Sequence, residues 1–211
     1  MLDDMECDRK KYDGGLMFHI IGVEHSVQEF RRKITEGNLA FATCLEQAIK
    51  AFRPTLIAEE HSIEALGMRY SIACAVACKF GVEHAFCDPM TKQKKVIGYR
   101  DIECLKKKVG KSDSLNVLLP YDIEVRAHAI QIAREFRKRE EFWLNSIKTK
   151  DLSTTLFICG DAHVCSFRKL LFDRGIPSEE HSRGIGMNEK LRKLIADARD
   201  YLRDNPNADV A

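Results

Sequence analysis

Two segments of this chain share a pattern in which a short apolar run ends in Gly-x-x-His. In LMFHIIGVEH the glycine is Gly22 and the histidine His25, and in LFICGDAH they are Gly160 and His163. Apolar runs of this length, rich in β-branched and aromatic residues, are typical of buried strands. A glycine at the end of a strand permits a tight turn or a close approach of another group. The pattern therefore predicts two strands that each lead into a turn bearing a histidine.

Strand and helix patterns alternate along the rest of the chain. Predicted strands cover 16–23, 55–60, 82–87 and 156–159, and predicted helices cover 38–52, 63–80, 122–148, 164–173 and 188–204, with a loop and short helix in 91–120. Such alternation predicts an α/β fold with a mainly parallel central sheet flanked by helices on both faces. We expect residues 15–204 to form a single domain, preceded by a flexible lead-in (1–14) and followed by a tail (205–211).

The composition is that of an ordinary globular domain, with 45% hydrophobic and 31% charged residues. The 34 basic and 32 acidic residues leave a formal charge of +2, so no surface-wide field is expected to attract nucleic acid or an anionic membrane. No apolar run approaches the roughly 20 residues that span a bilayer, and no secretory pattern opens the chain. We therefore expect a cytoplasmic protein without nucleic-acid or membrane partners, and leave open whether it forms a homo-oligomer.

Polar residues follow the predicted strands at the points where these end. They are His25, Glu59, Glu60, Asp88, Asp161 and His163. Because α/β sheets bind ligands beyond the carboxyl ends of their parallel strands, we expect these side chains to converge on one cleft. Which of Glu59 and Glu60 faces it stays open, since adjacent strand residues point to opposite faces.

A set of this kind supports the activation of water. An imidazole can accept a proton near pH 7, a carboxylate can orient it, and a guanidinium can stabilise a developing oxyanion. Alternatively His25, Glu60 and His163 could bind a divalent metal, such as manganese, zinc or cobalt, that acidifies the water. The residues alone do not distinguish these two chemistries.

The same segments resemble a superfamily that groups TraB-type pheromone shutdown proteins, TIKI proteases, erythromycin esterases and haem-binding ChaN proteins, which share an α/β core and paired G-x-x-H motifs. The resemblance rests on FHIIGVEH, RPTLIAEEHS, FCDP, KREEFWLNSI and FICGDAHV, which occur in this order between residues 16 and 164. It implies a core like that of the erythromycin esterases and ChaN proteins. It also implies a hydrolase site in which His25, Glu60, Arg139 and His163 occupy functional positions, with Asp88 as a neighbour.

Other acidic residues of these segments are expected to contact the substrate or to support those four positions. They are Glu24, Glu29, Glu59, Asp88, Glu140 and Asp161. The segment HSVQEF, with Glu29 and Phe30, is similar to the one that follows the first histidine in the esterase branch. That branch usually spaces its first glycine and histidine one residue wider, and it carries a large helical insertion that this compact chain lacks.

We therefore expect a hydrolase that cleaves an ester, peptide or similar bond in a small molecule or peptide. The first alternative is a binding protein on the same scaffold that holds a metal or, with less support, haem, without catalysis. The second is a small bacterial effector or signalling module. His61 and His84 are expected to have no catalytic role, although His61 lies close enough to the ends of the strands to join a metal-binding set. His181 lies in a polar segment that could be a loop or a strand.

Overall fold

A computed structural model of the protein describes residues 16–29, 34–66, 70–100, 123–148 and 154–186. Its strands are β1 (Met17–Val23), β2 (Leu56–Glu59), β3 (Glu83–Phe86), β4 (Thr154–Gly160) and β5 (Ser178–Ile185). They form one parallel sheet in the order β3-β2-β4-β1-β5. The two strands that end in Gly-x-x-His, β1 and β4, are therefore central neighbours, and β2 lies beside β4.

Helices pack on both faces of this sheet. Within the described ranges they are α1 (Glu36–Phe52), α2 (Ile63–Leu66), α3 (Ile72–Phe80), α4 (Thr91–Val96), α5 (Ile123–Lys148) and α6 (Val164–Asp173). The predicted α/β fold with a parallel sheet and helices on both faces is confirmed. In the described part of the chain, no helix has the length and apolar character needed to cross a membrane.

The alternation of side chains along each strand divides the core into two layers. From β1, Phe18 and Ile20 pack with Trp143 of α5 and Phe167 of α6, whereas Ile21 packs on the other face with residues of α1 and α3. Trp143 is fully buried, and truncating a buried tryptophan to alanine typically costs about 3–5 kcal/mol. Packing of α5 and α6 against the sheet therefore fixes the position of the α5 residues that lie near the ends of the strands.

The structure differs from the predicted elements in two places. The single helix predicted for 63–80 is wrong, because Ser71 is extended and its side chain caps α3 by accepting a hydrogen bond from the Cys74 N–H at 2.9 Å. In addition, β5 lies where the sequence, SEEHSRGI, has no apolar run; it is an edge strand whose side chains are mostly half-buried. His181 therefore lies in a strand.

Several predictions fall outside the described residues. These are the lead-in, the tail, the helix at 188–204, most of the segment 91–120, and Phe30. The part of 91–120 that is described contains the short helix α4. The glycine predicted to end the second helix does so, since Gly81 has the left-handed conformation with φ 66°.

Candidate active site

Three neighbouring strands bring the main candidate residues to one edge of the sheet. His25 begins a 3-10 turn directly after β1, Glu60 follows the last residue of β2, and His163 ends a 3-10 turn directly after β4. Because the strands are parallel and adjacent, their carboxyl ends meet there. The predicted convergence of strand-end residues is thus seen for His25, Glu60 and His163.

Glu60 lies at the centre of this cluster, with its side chain fully buried. Its Oε1 atom is 2.7 Å from Nη1 of Arg139 and 3.5 Å from Nε2 of both His25 and His163. Its Oε2 atom accepts a hydrogen bond from the Gly160 N–H at 2.7 Å. One carboxylate oxygen is therefore fixed by the backbone while the other faces three basic groups.

The adjacent Glu59 points to the opposite face of the sheet. Its Oε1 atom accepts hydrogen bonds from the Ser71 hydroxyl and from Nε2 of His84, the latter at 2.8 Å, and its Oε2 atom accepts one from Nε2 of Gln28 at 3.4 Å. Of the two glutamates, Glu60 faces the cluster directly. Glu59 is linked to the cluster through Gln28, which contacts His25.

The two histidines use their remaining ring nitrogens in the same way. Nδ1 of His25 lies 2.8 Å from Oε1 of Gln28, and Nδ1 of His163 lies 2.9 Å from Oε1 of Glu140. Their environments differ, however, because the His25 side chain is 47% exposed and that of His163 only 4%. His25 is therefore the part of the cluster that a substrate in solution reaches first.

Burial and the charge of Glu60 have opposite effects on the pKa of His25. Burial lowers the pKa of the imidazole, but the hydrogen bond and negative charge of Glu60, with the hydrogen bond to Gln28, outweigh it and raise this pKa to about 9. For Glu60, burial favours the neutral acid, but its interactions with His163, Arg139 and His25 hold its pKa well below the usual range. At neutral pH the pair is an imidazolium next to a carboxylate.

Arg139 is held in place on several sides. Its Nε–H donates to Oδ1 of Asp88, which also accepts a hydrogen bond from the Trp143 indole at 3.1 Å. The guanidinium carbon lies 5.3 Å from the centre of the Trp143 ring and 5.8 Å from that of Tyr99. With its side chain 16% exposed, Arg139 belongs to the cluster and not to a solvated helix face. Asp88 contacts Arg139 directly.

Three other candidates lie beside the cluster rather than in it. Asp161 forms a two-point ion pair with Arg183 of β5, at 3.1 Å to Nε and 2.9 Å to Nη2. The Glu24 side chain accepts a hydrogen bond from the Ser26 N–H at 3.2 Å and so caps the turn that carries His25. Glu29 lines a cavity of about 200 Å³ between α1 and α3, on the opposite face from Trp143.

Arg183 and Gln28 are functional candidates that the sequence did not reveal. Arg183 was hidden because β5 lacks an apolar pattern, and only its position near the end of a polar strand could have indicated it. Gln28 lies three residues after His25, a spacing at which side chains meet within a single turn of 3-10 helix. That spacing was a usable signal.

Each glycine of the two motifs makes room for the turn of the other motif. A Cβ atom on Gly160 would lie 2.6 Å from Nε2 of His25. A Cβ atom on Gly22 would lie 2.7 Å from Cγ2 of Val164 and 2.9 Å from Oδ1 of Asp161. The two turns therefore interlock, and both positions require glycine for close approach.

The cluster fits a metal ion poorly. Each Nε2 lies 3.5 Å from the same oxygen, so the two histidine nitrogens are at most about 7 Å apart, whereas two nitrogens bound to one zinc ion lie within about 4 Å of each other. Arg139 also places a positive charge 2.7 Å from that oxygen. In the described ranges no three His, Cys, Asp or Glu side chains are grouped so as to hold a metal.

Some buried polar atoms around the cluster have no hydrogen-bond partner within the described part of the chain. They are Oε2 of Glu140 and Nε2 of His61, whose ring centre is 6.2 Å from that of His25. Unpaired buried polar atoms in a native structure commonly mark a place for water or for a polar ligand. The cluster is therefore bordered by buried hydrogen-bonding atoms that are available to water or to a polar ligand.

Comparison of the chain with protein-family models, with curated proteins and with solved structures found no match. The resemblance to the TraB, TIKI, erythromycin esterase and ChaN superfamily therefore rests on the short motifs quoted above. The geometry of the Glu60 cluster carries the functional inference.

Proposed function

We propose that this protein is a hydrolase that uses the cluster around Glu60 to cleave an ester, peptide or similar bond with water. One observation carries the proposal: two imidazoles and a guanidinium face a single oxygen of a buried carboxylate, and one imidazole, that of His25, is open to solvent. Basic groups gathered at 2.7 to 3.5 Å around one carboxylate oxygen are the kind of set that proton transfer to and from a substrate requires.

The two histidines have different roles in this proposal. His25 carries its Nε2 proton at neutral pH and gives it to the leaving oxygen or nitrogen as the scissile bond breaks. His163, with its Nδ1–H held by Glu140, presents Nε2 as the acceptor for a proton of the attacking water. Oε1 of Glu60, equally distant from both rings, provides the path by which that proton returns to His25.

Arg139 stabilises the charge that develops during the attack. Its guanidinium is already oriented by Asp88, Trp143 and Tyr99, so little reorganisation is needed when an oxyanion forms next to it. The motif resemblance supports the same set, since His25, Glu60, Arg139 and His163 are the positions that it implies. The poor fit for a cation near Arg139 favours acid–base chemistry over metal-assisted hydrolysis.

Turnover of ester, peptide and related substrates by purified wild type, His25→Ala and His163→Ala tests the proposal. We expect both variants to lose about 10²–10⁴-fold in kcat, the usual contribution of general acid–base catalysis. His181→Ala, at a histidine of β5, is the matched control and keeps its activity. Undiminished turnover in either cluster variant would refute the assigned roles. Bound haem or metal in the purified protein, with no turnover on any substrate, would favour the binding-protein alternative.

A pair of esters with the same acyl group separates the acid role of His25 from a general requirement for this residue. The leaving group of a nitrophenyl ester departs without protonation, whereas the leaving group of an alkyl ester must be protonated as it departs. His25→Ala should therefore lose far more activity on the alkyl ester. An equal loss on both esters would show that His25 is not the acid.

A further inference from the structure

Gln28 connects His25 with Glu59, the last residue of β2. Its side chain is fully buried, with the amide oxygen 2.8 Å from Nδ1 of His25 and the amide nitrogen 3.4 Å from Oε2 of Glu59. The orientation of the amide follows from Glu59, because a carboxylate accepts hydrogen bonds and needs the N–H side facing it. The oxygen of Gln28 must then face His25.

This orientation dictates where His25 carries its proton. An amide oxygen can only accept, so Nδ1 of His25 is a donor whether the ring is charged or neutral. Nε2, which faces Oε1 of Glu60 at 3.5 Å, is then the only ring nitrogen that gains or loses a proton. The ring nitrogen available to a substrate is thus determined by Gln28 and, through it, by Glu59 on the opposite face of the sheet.

The surroundings hold both ends of this connection. Oε1 of Glu59 accepts from the Ser71 hydroxyl and from His84, so this carboxylate is anchored on the α3 side. The backbone carbonyl of Gln28 accepts the Ile72 N–H at 2.8 Å, which fixes the residue to the start of α3. Neither Gln28 nor Glu59 can turn without breaking several buried hydrogen bonds.

We propose that Gln28 and Glu59 are positioning residues that lock His25 in the tautomer with the proton on Nδ1 and so reserve Nε2 for proton exchange. This inference rests on the proposed function for its use in catalysis, but the tautomer itself is a property of the resting protein. It assigns a role to a glutamine that no motif marks and to the glutamate that points away from the cluster.

The test is a pH titration of the full-length protein, labelled with nitrogen-15 in its histidines, by nuclear magnetic resonance. In the wild type, Nδ1 of His25 should stay protonated from about pH 5 to about pH 10, a range that spans its raised pKa of about 9, while only Nε2 titrates. The titratable and charged groups around His25, namely Glu60, Arg139, His61 and His163, are unchanged in the variants below, so any difference between variants reports on the contact through Gln28.

Gln28→Met, which keeps the side-chain length but not the amide, removes the acceptor. We expect the neutral ring to shift its proton to Nε2, where Glu60 accepts it, and the pKa of His25 to fall from about 9 towards its ordinary value. Turnover should drop by about 10- to 100-fold. Gln47→Met, at an exposed glutamine of α1, is the matched control and should leave the titration unchanged.

Glu59→Gln is the second variant, in case Gln28→Met does not fold, since it keeps the shape and removes only the charge that orients Gln28. It should yield a mixture of both neutral tautomers. The inference is overturned if wild-type Nδ1 loses its proton at high pH, or if neither variant alters the tautomer. A locked tautomer in a protein without hydrolytic activity would instead refute the proposed function and leave the positioning role standing.

Discussion

Replacing His25 with glutamine should remove a specific part of the pH dependence of stability. The pKa of His25 is raised from 6.5 to about 9 in the folded protein. Because the folded state binds this proton more tightly than the unfolded chain, the stabilisation is complete below about pH 6.5 and disappears as the pH rises through about 9. His25→Gln cannot take up the proton and lacks this step.

The size of the step follows from the shift and from the exposure of the ring. A difference of about 2.5 units corresponds to about 3 kcal/mol at 1.36 kcal/mol per unit. Since the His25 side chain is 47% exposed, solvent screens the interaction, and we expect about 1–2 kcal/mol.

The free energy of unfolding of wild type and variant can be measured with urea at pH 6 and pH 10, about three units below and one unit above the raised pKa. The step is the change, between these two pH values, in the difference between the two free energies. Taking the difference cancels other groups that titrate in the same range. His181→Gln is the control and should follow the wild type. A difference between wild type and His25→Gln that stays constant, or grows with pH, would refute the coupling of His25 to Glu60.

Three further perturbations test the arrangement around this pair. Arg139→Lys should lower kcat about 100-fold with normal folding, because an ammonium cannot bridge Glu60 and Asp88 as the guanidinium does; steady-state kinetics with circular dichroism would check this, and full activity would contradict it. Arg183→Gln should cost about 2–4 kcal/mol in urea unfolding, since buried Asp161 loses a two-point partner, whereas Arg168→Gln at an exposed pair should cost less than about 0.5 kcal/mol; equal costs would count against it. Gly160→Ala should destabilise the wild type more than it destabilises His25→Ala, because the clash is with the His25 ring; purely additive losses in the double-mutant cycle would argue against that contact.

The sequence predicted the parts of the fold in which a single residue pattern dominates. The apolar runs of β1 and β4 and the periodic helices α1 and α6 were recognisable because each buries one continuous apolar stretch or stripe. In contrast, β5 lies at the edge of the sheet formed by the described strands, and its polar side chains leave no such pattern. The break before α3 was missed because the small and apolar residues that follow Ser71 suit a helix, and only the capping hydrogen bond shows where that helix begins.

For the site, strand ends located the histidines and Glu60, but not their partners. The rule that ligands lie beyond the carboxyl ends of parallel strands was sufficient to group His25, Glu60 and His163. This rule could not tell which of Glu59 and Glu60 faces the cluster, because that depends on the local direction of the backbone at the end of β2. It also could not find Gln28, whose role follows from a hydrogen bond to a glutamate on the other face of the sheet.

The interlocked turns also bear on how this chain can vary. A larger residue at position 160 meets the ring of His25, and one at position 22 meets Val164 and Asp161. Changes at each glycine are therefore tolerated or rejected according to residues more than a hundred positions away in the chain, because β1 and β4 are neighbours. In a library that randomises both turns, the folded variants should carry combinations in which the residues of one turn fit those of the other. The two motifs are therefore expected to vary together rather than independently.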